Sequence, residues 1–390
     1  MIAATSNGLE MSPELAKKLF HEGAILLVLN IPSSTEFGID MKSWTTGHKF
    51  KGIKMIPPGY HYVYYNAVNS HGDVAPRIGF FHKFQPQEVV VKIWNSDKEE
   101  LEDKVVTDEE LQRIKNDQQN LDSYLGAYPY DVLELWTKLT THISNHVVSK
   151  LSPDSGIIRS ALELVAESSP ASSTDENQYL KRKLRRKWKW GRPQNEEEKE
   201  ESLLPQMVPT PGTQINYSQP KEIYPPNSTP SEITQHFMDK TYAFEQIIQL
   251  YPTPQDVLGE FQFSFLCFIL GLNYESFLQW KNLLELFCSC EVALEKYIDL
   301  YVDFIRCLQV HLCECSDIED NFLMCDNAED NLIYKHVTYL FKTIYTSSVV
   351  NDDLVNSIAM LQDQLRRVFN WSFQYEQEED DEDLPVIVDD

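Results

Sequence analysis

The hydrophobic pattern changes once along the chain, and this change limits the possible folds more than any other feature. Between residues 24 and 95, short runs rich in β-branched and aromatic residues alternate with Gly, Pro, Asn and Asp, a pattern that predicts strands and turns. The runs are AILLVLNI (24–31), IKMI (53–56), YHYVYYNAV (60–68), RIGFFHKF (77–84) and EVVVKIWN (88–95). Because no long helical pattern separates them, they predict an antiparallel, sandwich-like sheet.

Two helices are expected to complete this N-terminal domain, which we place at residues 12–150. Thr107 and Glu110 form a capping-box pattern that opens a helix at 107–122. The segment 130–150 carries an apolar stripe at helical spacing. The stripe consists of Val132, Leu135, Trp136, Leu139, Ile143 and Val147. The domain is therefore predicted to be β-rich with terminal helices.

From residue 230 onward the pattern is purely helical. Thr229 and Thr253 each precede a proline, as N-caps often do. The run 254–270 is apolar on nearly every side, which predicts a helix in the middle of a bundle. Asn273 is expected to cap the next helix. Further helices are predicted near 291–312, 329–346 and 352–369. The second domain, placed at 212–375, is therefore all-α with six or seven helices, and the fold class is α+β.

The segment 151–211 is expected to be a disordered linker, because it is rich in proline and keeps no hydrophobic period. It contains the basic tract KRKLRRKWKWGR (181–192). This tract fits a nuclear import signal, an RNA contact that stacks bases on Trp188 and Trp190, or an inert charged linker. Import is the favoured interpretation. The candidate import residues are Lys181, Arg182, Lys183, Arg185, Arg186 and Lys187.

The chain ends in an acidic tail, placed at 376–390. Seven of the eight residues from Glu376 to Asp383 are acidic, so this stretch cannot bury apolar surface. A short β-prone segment follows: Leu384, Pro385, Val386, Ile387 and Val388. We predict that it forms a strand when a partner supplies a sheet edge. The alternative is that it packs on the helices of this chain.

No motif predicts catalysis, a cofactor or a metal site. Cys288/Cys290 and Cys313/Cys315 have spacing unsuited to zinc, and all seven cysteines are interpreted as free thiols. His142 and His146 lack the glutamate of a metalloprotease motif and are expected on a solvated helix face. The acidic residues come in runs, which solvate a surface and rarely supply an acid catalyst.

Charge and hydropathy limit the kinds of partner that the chain is expected to bind. The net charge of −26 argues against direct, broad nucleic-acid binding. The longest early apolar run, 24–31, is too short to span a bilayer. An intracellular protein that is a monomer before it binds its partners is expected.

Several sequence blocks resemble the Aar-two family, the U5 snRNP assembly factors of pre-mRNA splicing. In the first half these are EFGID (36–40) with Trp44, GHKFKGIKMIPPGYH (47–61), PRIGFF (76–81) and YLGAYPY (124–130). In the second half they are GTQINYS (212–218), STPSEITQHFMDKTYAFE (228–245) and PQDVLGEFQFSFLCFILG (254–271). The order of these blocks makes the resemblance specific.

The resemblance implies a β-rich domain joined to a helical domain similar to a VHS superhelix. It also implies a non-catalytic role, in which the chain binds the RNase H-like and Jab/MPN domains of the large scaffold protein of the spliceosome. While bound, such a factor excludes the U5 helicase, and related chains use a valine-rich end for this contact. Nucleus and cytoplasm are the implied compartments. The alternative function is a VHS-like adaptor of membrane traffic.

Overall fold

The computed structural model describes residues 19, 22–68, 73–166, 207–315, 331–347 and 351–373. Within these residues a β-rich unit (residues 22–166) precedes a helical unit (residues 230–373). The predicted α+β class is confirmed. The VHS-like character of the helical unit stays a prediction.

Two five-stranded sheets form the body of the β-rich unit. Their strands are β1 (Ala24–Leu29), β2 (Glu36–Ile39), β3 (Lys42–Thr45), β4 (Gly52–Ile56), β5 (Gly59–Asn66), β6 (Ile78–Phe84), β7 (Val89–Asn95), β8 (Glu100–Asp103), β9 (Gly126–Ala127) and β10 (Ile158–Arg159). A separate two-stranded sheet consists of β11 (Leu164–Ala166) and β12 (Met207–Pro209). One sheet has the order β8-β7-β1-β4-β9 and the other β10-β6-β5-β2-β3. Buried residues of both, such as Leu26 and Phe37, share one apolar cluster between the sheets.

The pairing differs from the expected antiparallel sheet in one respect. β1 pairs with β7 in parallel, and β4 pairs with β9 in parallel. The other named pairs are antiparallel. The approach of β4 to β1 depends on a glycine, because Gly52 has a φ of +133° and a Cβ there would lie 1.9 Å from the carbonyl oxygen of Leu26. All five strands predicted from the sequence are present.

Twelve α-helices lie in the described residues. They are α1 (Asp108–Asn116), α2 (Gln118–Leu121), α3 (Leu133–Leu139), α4 (Asn145–Leu151), α5 (Pro230–Met238), α6 (Thr241–Ile248), α7 (Gln255–Ile269), α8 (Tyr274–Cys288), α9 (Glu291–Lys296), α10 (Ile298–Gln309), α11 (Leu332–Thr346) and α12 (Asp352–Phe369). A π-helical turn, Val310–Glu314, extends α10. The capping box at Thr107 and the N-caps at Thr229 and Asn273 are confirmed. The expected N-cap at Thr253 is wrong, because α7 has Pro254 at that position.

The single helix predicted at 130–150 is wrong. The segment forms α3 and α4 with a turn between them, because Ser144 has an extended backbone and its hydroxyl accepts a hydrogen bond from Val147 N (3.2 Å) as the N-cap of α4. The inward stripe survives this break, since Trp136, Leu139 and Val147 are buried. Packing of the stripe therefore does not need a continuous helix.

The two units share a core. One apolar cluster joins Tyr62, Tyr64 and Trp136 of the β-rich unit to Phe261 and Phe263 of α7. Tyr62 ring packing on Phe81, and Phe81 stacking on Phe263 at 4.7 Å, carry the contact across. Burial of this kind is the main source of cohesion between packed elements. The units are consequently held together as one body.

The expected linker is partly ordered. β10 and β11 lie in its first part, and β12 lies near its end. β11 and β12 pair with each other, so that Ala166 opposes Met207 and the chain between them leaves and returns at one place. The intervening residues 167–206, which include the basic tract, lie outside the described residues. The placement of domain limits at 150 and 211 stays a prediction.

No helix in the described part of the chain is long and apolar enough to cross a membrane.

Candidate functional site

The predicted binding residues lie outside the part of the chain that the structure describes. This holds for the tail segment Leu384 to Val388 and for the import candidates Lys181 to Lys187. Their roles stay predictions. The described residues instead show which side chains join the β-rich unit to the helical unit.

A buried glutamine joins the units where α7 meets the turn between α3 and α4. Gln262 is fully buried, and its Oε1 accepts a hydrogen bond from His142 N at 2.8 Å. Its Nε2 donates to the carbonyl oxygen of Lys138 at 2.9 Å. Beside it, Ser144 Oγ donates to Asp256 Oδ1 at 2.8 Å. The turn's main-chain groups are thus paired by α7 side chains, as buried polar groups require.

An arginine at the start of β6 makes a second connection. Arg77 Nη1 donates to the carbonyl oxygen of Leu270 at 3.0 Å, at the C-terminal end of α7. Its other nitrogens pair with Asn66 Oδ1 (2.8 Å) and with the Glu36 carboxylate (3.0 Å). The guanidinium also lies over the Tyr64 ring, 4.8 Å from the centroid. Arg77 therefore links three strands of one sheet to the bundle.

A third connection is the strap, residues 212–222, which runs from the β-rich unit onto the helices. Asn216 N donates to the carbonyl oxygen of Leu151 at 2.9 Å. Two residues later, Ser218 N donates to Glu260 Oε1 at 2.8 Å. Glu260 is fully buried in α7, and it also accepts from Gln279 Nε2 at 3.0 Å and from the Tyr251 hydroxyl. This carboxylate is fixed by three donors and closes the strap over the bundle.

Asp40, His61 and Tyr128 form a network that resembles a catalytic relay. Asp40 Oδ2 lies 2.6 Å from His61 Nδ1 and accepts from the Tyr128 hydroxyl at 2.6 Å, and Asp40 Oδ1 accepts from Tyr62 N at 3.0 Å. His61 Nε2 lies 2.8 Å from the carbonyl oxygen of Pro57. All three side chains are almost completely buried. Since the network is sealed, its role is to hold the β2–β3 turn, where Asp40 has a φ of +53°.

His311 is a buried histidine at the π-helical turn. Burial lowers its pKa to about 3, so the ring is neutral at physiological pH. Trp280 Nε1 donates to His311 Nδ1 at 3.2 Å, and the ring stacks on Phe265 at 4.0 Å. The histidine therefore serves as a flat core side chain and an acceptor for the tryptophan.

The remaining chemistry candidates have ordinary surroundings. The expectation of free, buried thiols is confirmed for five of the six described cysteines, and Cys313 is half-buried. Burial lowers the pKa of His142, which is half-buried beside Asp256 and Asp303, so the expected solvated face is wrong for this residue. Across the described ranges no group of three or more His, Cys, Asp or Glu side chains could hold a metal ion.

Two surfaces expose side chains that a partner could contact. On the helical unit, Phe237 and Met238 at the end of α5 are 55% and 73% exposed. On the β-rich unit, β3 lies at a sheet edge and exposes Trp44. Sequence reasoning did not single out either surface as a contact site. Large apolar residues on a solvated helix end or a sheet edge were the signal that could have found them.

The structure defines the class of this protein: an α+β protein in which a β-rich N-terminal unit and an all-α C-terminal unit share one core. Family comparison agrees with this division, since the family descriptions "AAR2 N-terminal domain" and "AAR2 C-terminal repeat region" match residues 22–153 and 217–374. The chain belongs to the AAR2 family.

Two relatives resemble it along nearly the whole length, and a third resembles it along about two thirds. "Protein AAR2 homolog" of Macaca fascicularis is 37% identical over 97% of this chain and 97% of its own. The protein of that name in Caenorhabditis elegans is 32% identical over 93% of this chain and 98% of its own. "A1 cistron-splicing factor AAR2" of Saccharomyces cerevisiae is 25% identical over 69% of this chain and 71% of its own.

Proposed function

We propose that this chain is a non-catalytic assembly factor of pre-mRNA splicing. The observation that carries the proposal is family membership along both units, together with a relative named as a splicing factor. The polar networks support a binding role, because the buried Gln262, Glu260 and Asp40 and the partly buried Arg77 all serve to hold the fold together.

In more detail, the chain binds two domains of the large U5 scaffold protein, the RNase H-like domain and the Jab/MPN domain. While bound, it keeps the helicase from binding that protein during U5 snRNP biogenesis. The resemblance of the sequence blocks supports this step. The acidic tail also supports it, because it tethers a β-prone segment close to the docked units and raises the local concentration of that segment. A shared core between units favours a preformed docking surface, which lowers the cost of association.

Pull-down and affinity measurements with the two scaffold domains test the proposal. Deletion of residues 384–390 should weaken binding and leave the melting temperature unchanged. Burial of the side chains of Val386, Ile387 and Val388 in the complex contributes on the order of 3–6 kcal/mol to binding before ordering costs. Unchanged binding with a lowered melting temperature would instead place the segment in this chain's own core.

A matched pair of variants sharpens this test. In a strand, Val386 and Val388 face one side and Ile387 faces the other. The double change Val386→Ser/Val388→Ser and the single change Ile387→Ser should therefore weaken binding by different amounts per side chain. Equal losses per side chain in both variants would argue against an ordered strand.

Nuclear entry of the chain is proposed to depend on the basic tract. Replacing Lys183, Arg185, Arg186 and Lys187 with Ala should shift a fluorescent fusion toward the cytoplasm. The same four alanines in a chain that carries an added import signal are the control. An unchanged distribution combined with lost RNA crosslinking would assign the tract to RNA instead.

A further inference from the structure

β3 is an open edge strand. It pairs with β2 in a hairpin, Phe37 opposite Trp44 and Ile39 opposite Lys42, and it is the last strand of its sheet. Within the described ranges no strand pairs with its outer side. All four of its residues are exposed, and Trp44 is 41% exposed. An edge of this kind is a template for another extended chain.

The hydrogen bonds fix which main-chain groups of β3 face outward. Thr46 N donates to the carbonyl oxygen of Thr35, and the carbonyl oxygen of Thr46 accepts from Ser34 N, both at 2.8 Å, so both main-chain groups of Thr46 point toward the chain that leads into β2. Hydrogen-bonded and non-bonded pairs alternate along an antiparallel ladder. The N–H and C=O groups of Ser43 and Thr45 therefore point away from β2, toward an incoming strand.

The edge is also preorganised. The Thr46 hydroxyl donates to the carbonyl oxygen of Pro32 at 2.8 Å, and Phe50 packs on Phe37 with ring centroids 5.2 Å apart. At the other end of β3, the buried Asp40 network holds the turn. The free-energy cost of ordering this site when a strand docks is therefore small.

The charge at this edge is opposite to that of the rest of the chain. Residues 41–72 contain no Asp or Glu, although the chain has 60 acidic residues. Lys42, Lys49 and Lys51 are exposed on β3 and on the loop that follows it. Lys42 lies 3.3 Å from Asp131, and Lys51 lies over the Tyr124 ring, 4.6 Å from the centroid. The cations outnumber the acid beside them.

We propose that the outer edge of β3 binds an extended acidic segment of a second polypeptide by strand addition. The main chain of Ser43 and Thr45 supplies the ladder bonds, Trp44 supplies an apolar contact, and Lys49 and Lys51 select acidic side chains. This surface lies on the β-rich unit, and the proposal does not depend on the proposed splicing role. An acidic polypeptide fits better than RNA, because the unpaired main-chain groups form a ladder that only another peptide backbone can continue.

A labelled dodecapeptide of alternating Glu and Val is the probe, with alternating Lys and Val as its charge control. Fluorescence anisotropy with the full chain should show saturable binding of the acidic peptide, weakened by salt. The double variant Lys49→Glu/Lys51→Glu should bind about tenfold more weakly, as two exposed ion pairs predict. Lys221→Glu/Lys335→Glu, two exposed lysines of the strap and of α11, is the matched control and should bind normally.

The main-chain part of the proposal has its own test. Thr45→Pro removes an outward donor, and proline is tolerated on the open side of an edge strand. Peptide binding should fall about tenfold or more with little change in melting temperature, whereas Thr45→Val should bind normally. Equal binding by the proline and valine variants would overturn strand addition.

Three other results would also overturn the proposal. Equal affinity for the acidic and the basic peptides would remove the charge argument. Binding of the acidic peptide by a chain that ends at residue 373, with none by the full chain, would show that this chain's own tail occupies the edge. Tighter binding of a dodecauridylate than of the acidic peptide, lost in the Lys49/Lys51 variant, would assign the surface to RNA.

Discussion

Gln262 offers the sharpest test of how the two units are joined. Gln262→Leu keeps the size of the side chain and removes both of its hydrogen bonds to the main chain of Lys138 and His142. A main-chain group left without a partner inside the fold costs about 1–3 kcal/mol. This cost applies to His142 N, because the carbonyl oxygen of Lys138 still accepts from the Thr141 hydroxyl at 3.1 Å. The lost bond to Lys138 adds to this cost and the more apolar leucine offsets part of it, so we expect a net loss of about 1–3 kcal/mol in the free energy of unfolding.

Gln246 provides a matched control. Its Oε1 accepts from Lys221 N and Glu222 N at 3.1 and 3.2 Å, and its Nε2 donates to the carbonyl oxygen of Glu222 at 2.6 Å. The bonding pattern is similar, but these bonds lie at the surface, where water replaces a lost partner. Gln246→Leu should therefore cost under about 1 kcal/mol.

Thermal melting followed by circular dichroism, with urea titration at 25 °C, measures both variants. For a chain of this size, the expected loss for Gln262→Leu corresponds to a drop of roughly 1–4 °C in melting temperature. Equal shifts for the two variants would refute the reasoning. That result would mean that water reaches the turn between α3 and α4 and that the junction is not sealed.

Three further predictions concern the core and the loop. Gly259→Ala should lower stability, because a Cβ would lie 2.4 Å from the carbonyl oxygen of His142, and overpacking of about 1–3 kcal/mol exceeds the helix gain of at most about 1 kcal/mol; a raised melting temperature would contradict this. The unfolded chain takes up a proton at His311 near pH 6.5, but the folded chain does so only near pH 3. The free energy of unfolding therefore decreases as the pH is lowered. Between pH 7 and pH 5 the wild type should lose about 2 kcal/mol more than His311→Phe, measured by urea titration, and equal losses would contradict burial of the ring. Cleavage at a protease site inserted within 167–206 should leave the two fragments together on gel filtration, because the units share a core; separation without denaturant would contradict that.

Local signals in the sequence were reliable where they depend on a few neighbouring residues. The capping residues Thr107, Thr229 and Asn273 mark helix starts because their side chains pair with the main chain two or three residues on. The five long strand runs were found because aromatic and β-branched residues favour a half-buried sheet. These features give the α+β class without any tertiary information.

Contacts between distant residues were beyond such reasoning. The β2–β3 hairpin is short, its strand β3 is exposed, and Asp40 in its turn is held by Tyr128, far along the chain. The parallel pairing of β1 with β7 is likewise decided by the whole sheet. In α7, Asp256, Glu260 and Gln262 lie in a helix that is otherwise apolar all round, and a buried polar residue in such a helix was the available sign of the junction.

The placement of the cysteines makes thiol alkylation a probe of local unfolding in this protein. The six described cysteines, Cys267 to Cys315, all lie in the helical unit, so their alkylation reports on that unit. Burial raises the pKa of Cys307 and Cys315 to about 12, which keeps these thiols protonated and slow to react while the fold is closed. A timed iodoacetamide pulse read by intact mass would count how many thiols open together. Stepwise labelling would reveal partial fraying of the bundle, and simultaneous labelling would show that it opens as a single cooperative unit.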